Sequence, residues 1–159
     1  MVCVFVCRFS KRPISIPCNK KVDAKSLAAM YIAHVYKYFG PATTIVSDRG
    51  PQFISAFWEE FCRFLGTKLK LSMPYHPQTD SQTENANQWI DQRLRPFVNA
   101  FQDNWSTLIH IVDYAAATLP QDSTGFSPFQ VELGYQPRTH FDWEQPLDEV
   151  DVSAHIKRL

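Results

Sequence analysis

The sequence predicts an α/β domain, a mixed sheet flanked by helices, on three observations. Four short runs rich in apolar and β-branched residues lie at Val2–Cys7, Pro13–Pro17, Thr43–Ser47 and Lys68–Leu71. They are set among stretches whose apolar residues recur every three or four positions, the period of an amphipathic helix. At 159 residues, 45% hydrophobic and 14% aromatic, the chain is long and apolar enough to bury one core. Strand patterns interleaved with helix patterns imply a sheet covered by helices.

Each element has its own signal. Val2–Cys7 and Pro13–Pro17, joined through Ser10-Lys11-Arg12, predict a hairpin. Asp23 is a good helix N-cap; Leu27, Met30, Tyr31, Val35 and Tyr38 then recur at helical spacing until Gly40. Thr43–Ser47 is β-branched and predicts a buried strand. After Gly50-Pro51, a second helix is predicted with Phe53, Phe57, Phe61, Phe64 and Leu65 on one face, closed by Gly66. Lys68–Leu71 alternates as a half-buried strand. A loop over Pro74–Asp80 leads into a long helix with the stripe Ala86, Trp89, Ile90, Leu94, Phe97, Val98 and Phe101, kinked or divided at Pro96. Further helices are predicted over Trp105–Thr118 and over Pro128–Leu133, the latter closed by Gly134. The domain is placed at residues 1–139. Residues 140–159, where Asp142, Glu144, Asp148, Glu149 and Asp151 outweigh Lys157 and Arg158, read as an acidic linker or tail.

Composition narrows the function. No apolar stretch approaches the roughly 20 residues that span a bilayer, so no membrane role is expected. Cys3, Cys7, Cys18 and Cys62 show neither a CxxC pair nor zinc spacing and read as reduced strand or core cysteines of an intracellular protein. Formal net charge is zero, which gives a nucleic-acid binder no general attraction. The distribution is uneven: Arg8, Lys11, Arg12, Lys20, Lys21 and Lys25 face only Asp23 in the first 25 residues. That excess could touch phosphates, but solvated hairpin charges are the commoner explanation.

Two carboxylates stand out. Asp48 ends the apolar run Ile45-Val46-Ser47, at the strand end where α/β sheets usually bind ligands. The competing explanation is turn chemistry, since Asp favours such positions. Glu84 follows a polar loop at a helix start, where Ser81-x-x-Glu84 is also a capping box. At about 100° per residue, Glu84 lies roughly 115° from the centre of the apolar stripe and faces outward. A strand-end Asp and a helix-start Glu can converge on one divalent metal, with carboxylates within about 8 Å of each other before the ion binds.

The joint pattern is more specific than either half. Ile45-Val46-Ser47-Asp48-Arg49-Gly50-Pro51-Gln52-Phe53 is followed by His76-Pro77-Gln78-Thr79-Asp80-Ser81-Gln82-Thr83-Glu84, with 35 residues between the two acids. This resembles the integrase catalytic core of gypsy-type long-terminal-repeat retrotransposons, relatives of retroviral integrases. Asn104-Trp105, Ser123–Phe129 and Gly134–Arg138 extend the resemblance to most of the chain. It implies an RNase H-like fold and Mg²⁺- or Mn²⁺-dependent DNA integration by polynucleotidyl transfer, inside the cell and in the nucleus. Asp48 and Glu84 fall on the family's second and third catalytic carboxylates, which also hold metal. The implied partner is DNA, retroelement ends and target, with a homodimer as a further expectation and no small-molecule substrate. His76, Gln78, Asn85, Asn87 and Gln88 are candidate nucleic-acid contacts, with loop support or plain polar surface as the competing reading.

The sequence departs from the family's pattern. The family's first catalytic Asp lies on a strand that precedes the run matching Val2–Cys7, and residues 1–159 have no counterpart. Cys7 stands where relatives usually carry a non-catalytic Asp, and Ser81 replaces a usual Gly. The expected fold therefore lacks the first, central strand, leaving unpaired backbone groups at about 1–3 kcal/mol each where buried. With two of three carboxylates, this stretch alone is expected to be catalytically inactive. The other expectation is a co-opted nucleic-acid- or protein-binding module without catalysis.

Overall fold

The structure, a computed structural model, describes residues 1–19, 21–72 and 81–138, with the side chains of residues 81–84 outside the description. The loop expected over Pro74–Asp80, with His76 and Gln78, and the expected acidic tail at 140–159 lie outside the described residues. The chain falls into two compact units, Met1–Phe5 with Ile14–Asp91 and Val6–Pro13 with Gln92–Leu159.

In the first unit, strands β1 (Val2–Val6) and β2 (Pro13–Pro17) form the predicted hairpin, closed at its base by Cys18 N–H donating to Met1 C=O at 2.9 Å. Helix α1 (Ala24–Tyr31) is capped by Asp23, whose Oδ1 accepts the Ser26 N–H at 2.8 Å. It continues through a π-helical segment, Ile32–Tyr36, into a short α2 (Lys37–Phe39), and Gly40 ends it at φ 72°. Strand β3 (Thr44–Ser47), helix α3 (Ala56–Phe64) and strand β4 (Lys68–Leu71) follow. β3 and β4 pair in parallel, with Thr44 opposite Lys68 and Ser47 opposite Leu71.

Among the described residues the strands form two separate two-stranded sheets, β1–β2 and β3–β4. Both pack on one core of Ala24, Leu27, Ala28, Tyr31, Trp58 and Cys62, against which Cys3, Phe5, Ile45 and Leu69 are pressed. Tyr31 and Trp58 meet edge to face at 6.4 Å between ring centroids, a favoured aromatic geometry. The Tyr31 hydroxyl accepts the Ala42 N–H at 2.9 Å, fixing the approach to β3.

Two expectations about helix faces are corrected. Tyr38, expected on the core stripe, is 67% exposed, because the wider π turn before it shifts the helical phase. In α3 the buried face is Trp58 and Cys62 with Phe61 and Leu65 beside them, whereas Phe57 and Phe64 point to solvent. Of the predicted face, Phe53, Phe61 and Leu65 do pack on this core, so the correction is confined to Phe57 and Phe64.

Helix α4 (Ser81–Leu94) buries Ile90 and Leu94, then gives way to a 3-10 turn, Arg95–Phe97, at Pro96. Pro96 thus ends the helix rather than kinking it, and Phe97 and Phe101 fall off the expected stripe to become exposed. In the second unit α5 (Trp105–Thr118) and α6 (Pro128–Leu133) match the predicted spans. α6 starts with a full capping box between Ser127 and Gln130 and ends at Gly134, φ 80°. The hairpin turn belongs to this unit. Glu132 of α6 accepts from the buried Ser10 hydroxyl and from Arg12, each at 2.6 Å. The Arg12 guanidinium lies over the Phe129 ring at 5.1 Å.

Candidate active site

The parallel pairing of β3 and β4 brings their C-terminal ends to one edge, and the candidate site begins there. The ladder runs one step beyond β3, with Ser72 N–H donating to Ser47 C=O at 2.8 Å. Ser47 is buried, and the next residue, Asp48, is exposed. Sequence placed Asp48 at a strand end, and the structure puts it there.

Its carboxylate is held on one side. Oδ1 accepts the Gly50 N–H at 2.9 Å, an Asx turn that fixes the side chain across the strand end. Turn chemistry and ligand chemistry, weighed as alternatives, are thus compatible: one oxygen serves the turn, and Oδ2 has no hydrogen-bond partner among the described residues. Gly50 is tightly enclosed. A Cβ there would lie 2.7 Å from Gln52 Nε2 and 3.0 Å from Asp48 Oδ1. Phe53 N–H donates to Gly50 C=O at 2.9 Å, completing a turn that leads to the Ser55 cap of α3.

Glu84 lies in the first turn of α4, as the sequence indicated. Its side chain, its capping role and its separation from Asp48 fall outside the described residues, as do His76 and Gln78. Asn85, Asn87 and Gln88 are exposed on the part of α4 that follows. Among the described residues no three His, Cys, Asp or Glu side chains stand together to hold a metal. No described helix is long and apolar enough to cross a membrane.

Sequence reasoning missed Arg49. Its Nε–H donates to Ser72 C=O at 3.4 Å, so the residue after Asp48 reaches across to the end of β4. No sequence signal announces that link, which exists only once the two strands pair.

Comparisons with known proteins bear on the whole arrangement. Residues 1–77 match the integrase core domain family. The chain is 34% identical over 134 residues to the Tf2-3 and Tf2-4 transposon polyproteins of Schizosaccharomyces pombe, a match covering 84% of this chain and 10% of each polyprotein. It therefore spans about a tenth of the length of these relatives. Among solved structures it is similar to a chain of the simian T-cell lymphotropic virus intasome in complex with PP2A regulatory subunit B56 gamma. That likeness has a TM-score of 0.68 at 18% identity and covers 86% of this chain and 50% of the other. For the catalytic core domain of BIV integrase the TM-score is 0.64 at 19% identity, covering 82% and 83%. The HTLV-2 integrase catalytic core domain in complex with magnesium gives 0.63 at 21%, covering 81% and 82%. The mixed α/β fold is thus that of integrase catalytic cores, RNase H-like.

Proposed function

We propose that this chain is part of a gypsy-type retrotransposon integrase in which Asp48 and Glu84 are two carboxylates of a divalent-metal site for DNA strand transfer. The observation that carries the reading is Asp48 itself. It is an exposed carboxylate at the shared end of two parallel strands, with one oxygen pinned by Gly50. Such an oxygen donor fits Mg²⁺ or Mn²⁺, hard cations that take carboxylate, water and phosphate ligands. Asp48 and Glu84 would hold the ion; when bound, it supplies activation of the attacking oxygen and stabilisation of the leaving one.

The chain's own residues orient this site. The Gly50 N–H keeps the Asp48 carboxylate from rotating, and the Ser72–Ser47 bond fixes the two strand ends together. His76, Gln78, Asn85, Asn87 and Gln88 supply polar contacts to the DNA in this reading. In-line displacement would call on two divalent ions, and Asp48 and Glu84 by themselves would not hold both. Residues 1–159 alone are inactive in this reading. A homodimer is the further partner this reading expects. The reading goes with a location inside the cell, in the nucleus.

Electron paramagnetic resonance of Mn²⁺, titrated with the chain in the presence of duplex DNA, tests the ligand assignment. Asp48→Asn and Glu84→Gln are each expected to weaken binding at least severalfold, and Glu60→Gln, an exposed carboxylate paired with Arg63, to leave it unchanged. Equal binding by Glu84→Gln and the unaltered chain would remove Glu84 from the site.

A further inference from the structure

We infer that Arg49 is a phosphate-binding residue of this site, receiving a phosphodiester of the DNA beside Asp48; the inference rests on the DNA reading above. Three observations carry it. Arg49 is exposed at the edge where β3 and β4 end, one residue from the exposed Asp48 carboxylate. Its Nε–H is engaged by Ser72 C=O at 3.4 Å, which orients the planar guanidinium against the end of β4. Among the described residues it makes no ion pair, and its two Nη groups have no acceptor.

An arginine held by Nε keeps the donor edge of its Nη groups, and that edge matches two oxygens of a phosphate. Lysine, a flexible point charge, lacks that matched fork. The need for such a contact follows from the charge of the chain. With formal net charge zero, the protein offers DNA no general attraction, so phosphates have to be met by individual cations. Arg12, by contrast, is already committed to Glu132. Arg49 stands next to the carboxylate where a reacting phosphodiester would be presented.

Fluorescence anisotropy with a labelled mixed-sequence DNA duplex, read across a series of KCl concentrations, tests this on the full chain. Arg49→Gln, which keeps an amide donor for Ser72 but loses the charge, is expected to bind severalfold more weakly at low salt. Its slope of log affinity against log salt should be shallower by about one. Arg49→Lys is expected to keep most of the slope, and Arg8→Gln, an exposed cation of the hairpin turn, to match the unaltered chain. An unchanged slope in Arg49→Gln overturns the inference. So does an equal loss in Arg49→Gln and Arg49→Lys, which would mark a role in holding β4. Absence of binding by the unaltered chain overturns the DNA reading itself. Should Arg49→Gln not fold, the Nε–Hε NMR resonance of Arg49 in the unaltered chain decides. A shift on adding DNA is expected, and an unmoved resonance contradicts the inference.

Discussion

Gly50 has no room for a side chain, and the atom it would meet includes the carboxylate oxygen of Asp48 at 3.0 Å. Gln52, the other neighbour, ends in a flexible amide that swings away at little cost. Gly50→Ala is therefore expected to leave thermal stability nearly unchanged while displacing Asp48 and weakening Mn²⁺ binding severalfold. Calorimetry and the Mn²⁺ titration read the two effects separately; a large stability loss with intact metal binding would contradict this account of the turn. The cysteines divide as sharply. Burial pushes the Cys62 thiol up to about 11, and Cys3, through burial and then the nearby Cys18, also to about 11. Cys62 is fully buried, while Cys7 is exposed. Because the thiolate is the reactive form, alkylation near pH 7.5 should modify Cys7 first and Cys62 only after denaturation. Mass spectrometry of timed samples checks the order, and Cys62 reacting as fast as Cys7 would mean that the core around Trp58 is open.

At the scale of elements, the aromatic centre of the first unit dominates. Trp58 is 0% exposed and touches Tyr31, Phe53 and Phe61, while its indole N–H has no acceptor among the described residues. Trp58→Ala should cost about 3–5 kcal/mol in urea unfolding, the range for emptying a large aromatic site. Trp58→Phe, which keeps a ring and removes the unmet donor, should cost clearly less. The Asp23 cap adds a pH dependence. Hydrogen bonding to Ser26 holds its carboxyl below the ordinary carboxylate value, so the cap's stabilisation is present at neutral pH. It is lost as pH falls through that lowered value, and thermal melts of Asp23→Asn should lack this acid-side component. Legibility followed the strength of local signals. α5, and α6 with its Ser127 cap and Gly134 stop, were readable because capping chemistry is local. The Trp58 face of α3 was not, because phenylalanines at 53, 57, 61 and 64 offered a second apolar comb and only tertiary packing chose between them. The π segment, which turned Tyr38 outward, has no comparable mark in the sequence.

At the scale of the whole molecule, the candidate site is assembled from distant parts of the chain, and its legibility varied accordingly. Asp48 was visible from its strand and turn, whereas Glu84 gained its meaning only from the joint motif. Arg49 was invisible until β4 lay beside β3, since the acceptor is Ser72, a residue 23 positions away. Among the described residues the two sheets stay separate and share a single core. In the proposed reading, an added strand carrying an Asp ahead of Val2 should raise both stability and metal-dependent activity. The central claim, that this stretch holds two of the carboxylates of a strand-transfer site and is inactive without the third, is tested most directly by a DNA-joining assay. Purified chain is incubated with labelled donor DNA and Mg²⁺ or Mn²⁺, beside a Glu84→Gln control. No joined product above background is predicted for either protein; joining by the unaltered chain but not by Glu84→Gln would show that another residue completes the metal clamp and would contradict the account.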